Sequence, residues 1–268
     1  MSSTPGGEDF NPDLEVYYRV PAPGSKEVNT VKENRTGEIL GVLGGMGALA
    51  SAEFLRTIYE QNIGRDEQDA PVVMVYSDPT FPDRTEAFLR GEAHLVHTPL
   101  VAALRRLSEI GASRFVLCCV TIHYLVPSLP AELKGRVISL LDTIFDSVQK
   151  APRQKHLMIC STGTRRLRLL EEHERSAEAA GRIIFPNEQE QQTLHPMIYE
   201  IKNGNKLPEM KAYIESLLDK YEVSSFIAGC SEIHLLSKQF PPTGKSGGHY
   251  SCIDPLLIIA KELRGRKT

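Results

Sequence analysis

From residue 38 onward, short apolar runs alternate with longer amphipathic stretches, and this rhythm limits the fold more than anything else in the chain. The runs at 39–43, 72–76, 115–119, 137–140, 157–160, 182–185 and 226–228 are rich in Val and Ile and do not alternate apolar with polar residues. That pattern belongs to strands buried on both faces. Between them, helical periodicity marks 51–62, 86–110, 141–149, 165–180, 188–203 and 208–220, with a last helix over 255–263. Strands and helices in this order imply an α/β fold with mostly parallel sheets and right-handed crossovers. Functional sites in such folds lie at the carboxyl ends of the strands.

The chain also repeats itself. Phe115-Val-Leu-Cys-Cys119-Val-Thr-Ile-His123-Tyr-Leu125 aligns with Phe226-Ile-Ala-Gly-Cys230-Ser-Glu-Ile-His234-Leu-Leu236, with identical Phe, Cys, Ile, His and Leu. The offset is 111 residues, about the size of a small α/β domain. More weakly, Gly44-Gly45-Met46-Gly47 follows the first strand of one half as Ser161-Thr162-Gly163-Thr164 follows that of the other. Two similar domains are expected, 38–145 and 150–245, with a C-terminal helix, 250–268, returning to the first. Residues 1–37, rich in Pro and Gly, read as an extended or flexible arm.

Composition removes several classes of function. Lys plus Arg is 31 and Asp plus Glu is 34, a net charge of -3, which gives little pull toward nucleic acid or an anionic membrane. No apolar run reaches the ~18 residues of a membrane helix. Residues 1–11 are polar and acidic, unlike a secretory signal. Five cysteines, an odd count, point to reduced thiols and a cytoplasmic protein. His94 and His97 lie three apart, but no further ligand stands at a suitable spacing, so no metal is expected.

The repeat suggests a chemistry. It puts one cysteine, Cys119 or Cys230, at the carboxyl end of a strand in each half. If the halves face each other, two thiols flank one cleft. One thiolate removes a proton from a carbon, and the opposite thiol returns a proton on the far face. The carbon inverts without a cofactor. Thiols suit this exchange because their ordinary pKa, about 8.5, is readily tuned by neighbouring charges. Backbone N–H groups at strand-to-helix turns can stabilise the planar carbanion through its carboxylate. A cysteine ending a buried strand more often only packs. Cys118, Cys160 and Cys252 are read that way, with Cys118 turned away from Cys119 because strand side chains alternate.

Four segments carry a resemblance to a known family: Gly44-Gly45-Met46-Gly47, Ser77-Asp78-Pro79-Thr80-Phe81-Pro82-Asp83-Arg84-Thr85, Cys119-Val-Thr-Ile-His123 and Gly229-Cys230-Ser-Glu-Ile. Together they resemble the cofactor-independent aspartate/glutamate racemases, especially the aspartate racemase branch. The resemblance implies two flavodoxin-like α/β domains related by pseudo-twofold symmetry, with the active site in the cleft between them. It implies a PLP-independent proton transfer on an acidic amino acid, aspartate or glutamate, and a homodimer. Cys119 and Cys230 would be the catalytic thiols. Arg84 would grip the side-chain carboxylate, as a planar guanidinium can, and Lys202 would approach the same group. Met46 and Gly47 match the loop closing over the substrate. Thr121, Thr162, Gly163 and Thr164 match pocket-lining residues or donors to the α-carboxylate. Ser231 and Glu232 follow Cys230, and Glu232 is placed to position or deprotonate that thiol. His123 and His234 are expected to hydrogen-bond behind the turns.

The sequence departs from the resemblance at Val120, where the family has asparagine. Valine offers substrate only its backbone N–H and C=O. Val120 therefore keeps two other readings open: a decarboxylase or cis–trans isomerase of a small diacid on the same fold, and a lapsed enzyme that binds ligand. A nucleotide site is a third reading. Gly45-Met-Gly47-Ala-Leu-Ala50 fits a loose dinucleotide pattern, but no convincing acidic residue ends the second strand.

Overall fold

The computed structural model of the chain describes residues 38–64, 66–240 and 250–263. The arm read at 1–37 and the last residues of the C-terminal segment lie outside these described residues. The described chain forms two parallel sheets. The first is built from β1 (Leu40–Gly44), β2 (Val73–Ser77) and β3 (Arg114–Leu117), in the order β2-β1-β3. Helices α1 (Ala48–Asn62), α2 (Arg84–Leu89), α3 (His94–Glu109), α4 (Ala131–Lys134) and α5 (Leu140–Lys150) connect and follow these strands. The second sheet holds β4 (His156–Cys160), β5 (Ile183–Ile184), β6 (Ser225–Gly229) and β7 (Ser251–Ile253), in the order β5-β4-β6-β7. Its helices are α6 (Thr162–Arg166), α7 (Glu188–Lys202), α8 (Leu207–Lys220) and α9 (His234–Ser237), and α10 (Pro255–Glu262) closes the described chain.

The two sheets share one topology. β1 and β4 are flanked by β2 and β5 on one side and by β3 and β6 on the other. The repeated segments therefore continue from equivalent strands, β3 and β6. This is the two-domain α/β architecture expected from the alternation and the repeat.

Three apolar layers hold the strands. One face of the first sheet packs on α3 through Leu43, Phe115 and Leu117 against Val96, Leu100 and Leu104. One face of the second packs on α7 and α8 through Leu157, Ile159 and Phe226 against Leu194, Ile198 and Ile214. The remaining faces of both sheets contribute to a common cluster with α1, α5 and α10. Val42, Val116, Met158 and Ile227 meet Phe54, Phe145 and Ile259 there. Strands buried on both faces explain the continuous apolar runs. Helix α10 is also tied to α1 by a hydrogen bond from Asn62 Nδ2 to the Ala260 carbonyl, 2.7 Å.

Four local expectations need correction. The helix read at 86–110 is two helices, α2 and α3, because Gly91 adopts a φ of +76° between them, a conformation that glycine tolerates best. The strand read at 137–140 is reduced to a single bridge between Val137 and Phe115. Ser139 caps α5 instead, its Oγ accepting from Asp142 N at 3.0 Å. The helix read at 165–180 stops at Arg166, followed by turns in which Arg168 is left-handed (φ 51°). Leu169 and Leu170 still reach the common cluster, but the charged run around them has no continuous apolar stripe to hold a helix. Finally, residues 251–253, read as part of the C-terminal helix 250–268, form β7 beside β6 of the second sheet. A strand of three residues is too short for a periodicity signal, and its first bond runs from Ser251 N to the Ser224 carbonyl. No helix among the described residues is long and apolar enough to cross a membrane.

Candidate active site

Segments that follow β1, β2, β3, β4 and β6, together with the end of α7, supply one cavity. It is lined by Met46, Asp83, Arg84, Thr85, Cys119, Thr121, Ser161, Lys202, Cys230 and Glu232, and its volume is about 10 Å³, room for about one water. Both repeated cysteines are in that wall.

Each half delivers its groups by a turn that the local sequence enforces. After β1 the chain reverses at Gly45, whose φ is +91° and where a Cβ would collide with the Asp78 backbone at 2.3 Å. Ser51 locks this turn, accepting from Gly45 N at 3.0 Å and donating to the Gly47 carbonyl at 2.7 Å. Met46 is thereby set into the wall. After β2, Asp83 caps α2 by accepting from Glu86 N at 3.0 Å, which turns Arg84 inward. Past β4, Ser161 caps α6 through Thr164 N at 3.2 Å. Its hydroxyl meets Thr121 Oγ1 from the other half at 3.0 Å, and Thr164 Oγ1 lies 2.9 Å from the same Thr121 atom.

A buried histidine stands behind each cysteine turn. His123 Nδ1 is 3.0 Å from the Cys119 carbonyl, and its Nε2 accepts from Leu140 N at 3.1 Å. These partners require a neutral ring with the proton on Nδ1. Burial pushes its pKa down to about 4. His234 pairs Nδ1 with Asp254 Oδ2 at 2.5 Å and Nε2 with Thr57 Oγ1 at 3.0 Å. The second turn is thus fastened to α1 and to the cap of α10.

The two sulfurs have opposite electrostatic neighbours. Beside Cys119 lies Arg84, a buried cation. Burial alone would lower the Arg84 pKa, but the charges of Cys119, Asp83 and Glu232 outweigh it and raise it. Its Nη1 donates to the Pro82 and Phe81 carbonyls at 2.9 and 3.4 Å, and Nη2 to the Met46 carbonyl at 2.7 Å. Nε has no partner. Beside Cys230 lies a carboxylate: Sγ donates to Glu232 Oε2 at 2.7 Å. Burial and that carboxylate push the Cys230 thiol well above its usual range, with Lys202 pulling the other way.

Lys202 reaches the cavity from the end of α7. Its Nζ is 3.8 Å from Asp83 Oδ2 and 4.0 Å above the Tyr199 ring. Tyr199 donates to Asp83 Oδ2 at 2.6 Å. Burial would raise the Asp83 pKa, yet the Tyr199 hydroxyl, the Glu86 amide, Lys202 and Arg84 together lower it. This network spans the cleft between α7 and α2.

The structure brings together Met46, Arg84, Cys119, Thr121, Lys202, Cys230 and Glu232 from the residues singled out in the sequence. Gly47, Thr162, Gly163, Thr164 and Ser231 are adjacent in the chain but do not line the cavity. Val120 does not line the cavity either: its side chain is buried in the common core with Cys118, and its backbone, with φ -68° and ψ -43°, opens the helical turn that follows Cys119. Asp83, Thr85 and Ser161 line the cavity without having been anticipated. Asp83 and Ser161 each cap a helix after a strand end, a pattern that marks a helix start in the sequence but not a cavity wall. No cluster of three metal-binding side chains occurs among the described residues.

The family model for Asp/Glu/Hydantoin racemase matches residues 43–263. The chain belongs to the Asp/Glu/hydantoin racemase family, and is an isomerase of that class. Among solved structures, the fold is similar to the Picrophilus torridus aspartate racemase, with a TM-score of 0.68 and 18% identity over 85% of this chain and 95% of that one. An aspartate racemase homologue from Pyrococcus horikoshii OT3 aligns with a TM-score of 0.62 and 18% identity, over 86% of this chain and 100% of that one. Glutamate racemase from Campylobacter jejuni subsp. jejuni gives 0.54 and 15% identity, over 86% of each chain.

Proposed function

We propose that the protein inverts the α-carbon of an acidic amino acid, aspartate in first place and glutamate in second, by proton transfer between Cys119 and Cys230. The observation that carries this reading is that both sulfurs border one cavity, each delivered from an equivalent strand. In one direction Cys119, as thiolate, takes the α-proton: the carbon–hydrogen bond breaks and a sulfur–hydrogen bond forms. Cys230, protonated and hydrogen-bonded to Glu232, gives its proton to the opposite face. In the reverse direction Glu232 Oε2 is the acceptor that assists loss of the Cys230 proton.

Cations in the cavity suit a dianionic carbon skeleton. Arg84 keeps Nε–H and one Nη2 hydrogen beyond its three carbonyl contacts, an edge that a carboxylate can bridge. Lys202 supplies a second positive charge. A four-carbon diacid is larger than the cavity, so binding requires Lys202 to swing aside or the halves to part. Division of the chain into halves at 38–145 and 150–245, a homodimer and a cytoplasmic setting belong to the same proposal, and the family resemblance supports them.

The test is incubation with each enantiomer of aspartate and glutamate in heavy water, followed by chiral chromatography and mass analysis. The reading predicts inversion of at least one pair, with deuterium at the α-carbon of the product. No inversion and no exchange with any of the four defeats it.

A further inference from the structure

The two oxygens of Glu232 stand in unequal surroundings. Oε2 accepts from Cys230 Sγ at 2.7 Å and from Ser231 Oγ at 3.2 Å. Oε1 is buried and has no hydrogen-bond partner, on a side chain that is 1% exposed and lines the cavity. It faces Gly47, where even a Cβ would stand only 2.8 Å away. A buried carboxylate oxygen without a donor is costly and is seldom kept without a use. The other carboxylate of the wall is already occupied: Asp83 receives the Tyr199 hydroxyl and the Glu86 amide and lies beside Lys202. Val120 presents no polar side-chain atom, and that side chain is in the core. Among the cavity-lining groups, Glu232 Oε1 is therefore the acceptor left for a cation brought by the ligand.

We propose that Glu232 Oε1 receives the α-ammonium group of the substrate. Glu232 then does more than assist Cys230: it selects amino diacids over diacids of the same shape that lack the amino group. The inference rests on the acidic amino-acid reading and adds the group that recognises its nitrogen. The placement is chemically consistent. The carboxylate adjoins Cys230, so an ammonium held there is attached to the carbon that the two sulfurs flank. Holding the positive charge next to that carbon also stabilises the carbanion formed when the proton leaves.

The test compares binding of aspartate and succinate, which share two carboxylates and differ by the amino group. Titration calorimetry of the full chain gives both dissociation constants at one pH. The wild-type protein is expected to bind aspartate about tenfold or more tightly than succinate, the range of a charge-assisted hydrogen bond. Glu232→Gln keeps the size of the side chain and removes its charge. It is expected to abolish that preference while binding succinate at least as well as wild type, which also shows that the variant is folded. Equal binding of the two ligands by wild type overturns the inference without any variant. So does a Glu232→Gln protein that keeps the preference or weakens both ligands alike. A natively folded wild-type protein that binds neither diacid overturns the acidic amino-acid reading itself, and this inference with it.

Discussion

At the scale of single residues, the site is built from buried polar groups whose partners fix their protonation. His123 shows this most clearly. Its two nitrogens bind a carbonyl and an amide, so only the neutral ring fits. In the folded protein its pKa lies at about 4, below the ordinary 6.5, because the ring is buried. Between those values the unfolded chain binds the proton more readily than the folded one. The stability His123 contributes is therefore present above pH 6.5 and is lost as pH falls toward 4, by about 3 kcal/mol in all. Urea unfolding measured from pH 7 to 4 should show this decline, and it should be shallower in His123→Asn; an equal slope in that variant contradicts the assignment. The same scale shows what the sequence made legible. Cys119 and Cys230 stand out because the repeat aligns them. Asp83, Thr85 and Ser161 do not, because a cap or hydroxyl facing a cavity has the same local pattern as one facing solvent. Val120 has the right neighbours in sequence, but the chain leaves the strand before it, and its helical backbone (φ -68°, ψ -43°) accompanies a side chain packed in the core.

At the scale of elements, helix starts do the positioning. Asp83, Ser161 and Asp254 each cap a helix that follows a strand end. Asp254 has a double duty. Oδ1 accepts from Leu256 N at 3.0 Å and Leu257 N at 3.3 Å, while Oδ2 holds His234 behind the Cys230 turn. Asp254→Ala should cost about 3 kcal/mol, combining loss of a cap with a buried imidazole Nδ1 left without its partner. Asp254→Asn, which keeps an acceptor for the cap, should cost less. Urea midpoints at pH 7.5 check the order, and equal costs would show that the His234 contact alone matters. Element type was readable for long, apolar or strongly periodic segments such as β1, β4, β6, α5 and α8. It failed where periodicity met a breaker or a charge run, at Gly91 and beyond Arg166, and where β7 is only three residues long.

At the scale of the molecule, two sheets of one topology share a core and turn the same strand ends toward one cavity. The shared topology and the aligned segments put two thiols at equivalent strand ends. Their surroundings differ, with a cation beside Cys119 and a carboxylate beside Cys230. In the proposed reaction each sulfur serves one face of a carbon, so neither would replace the other. The most direct measurement is the inversion rate in heavy water of wild type, Cys119→Ala and Cys230→Ala, each checked for native circular dichroism. The account predicts that wild type gives inverted product carrying one α-deuterium, and that both folded variants lose inversion by at least about a thousandfold. Inversion surviving in either folded variant would contradict it.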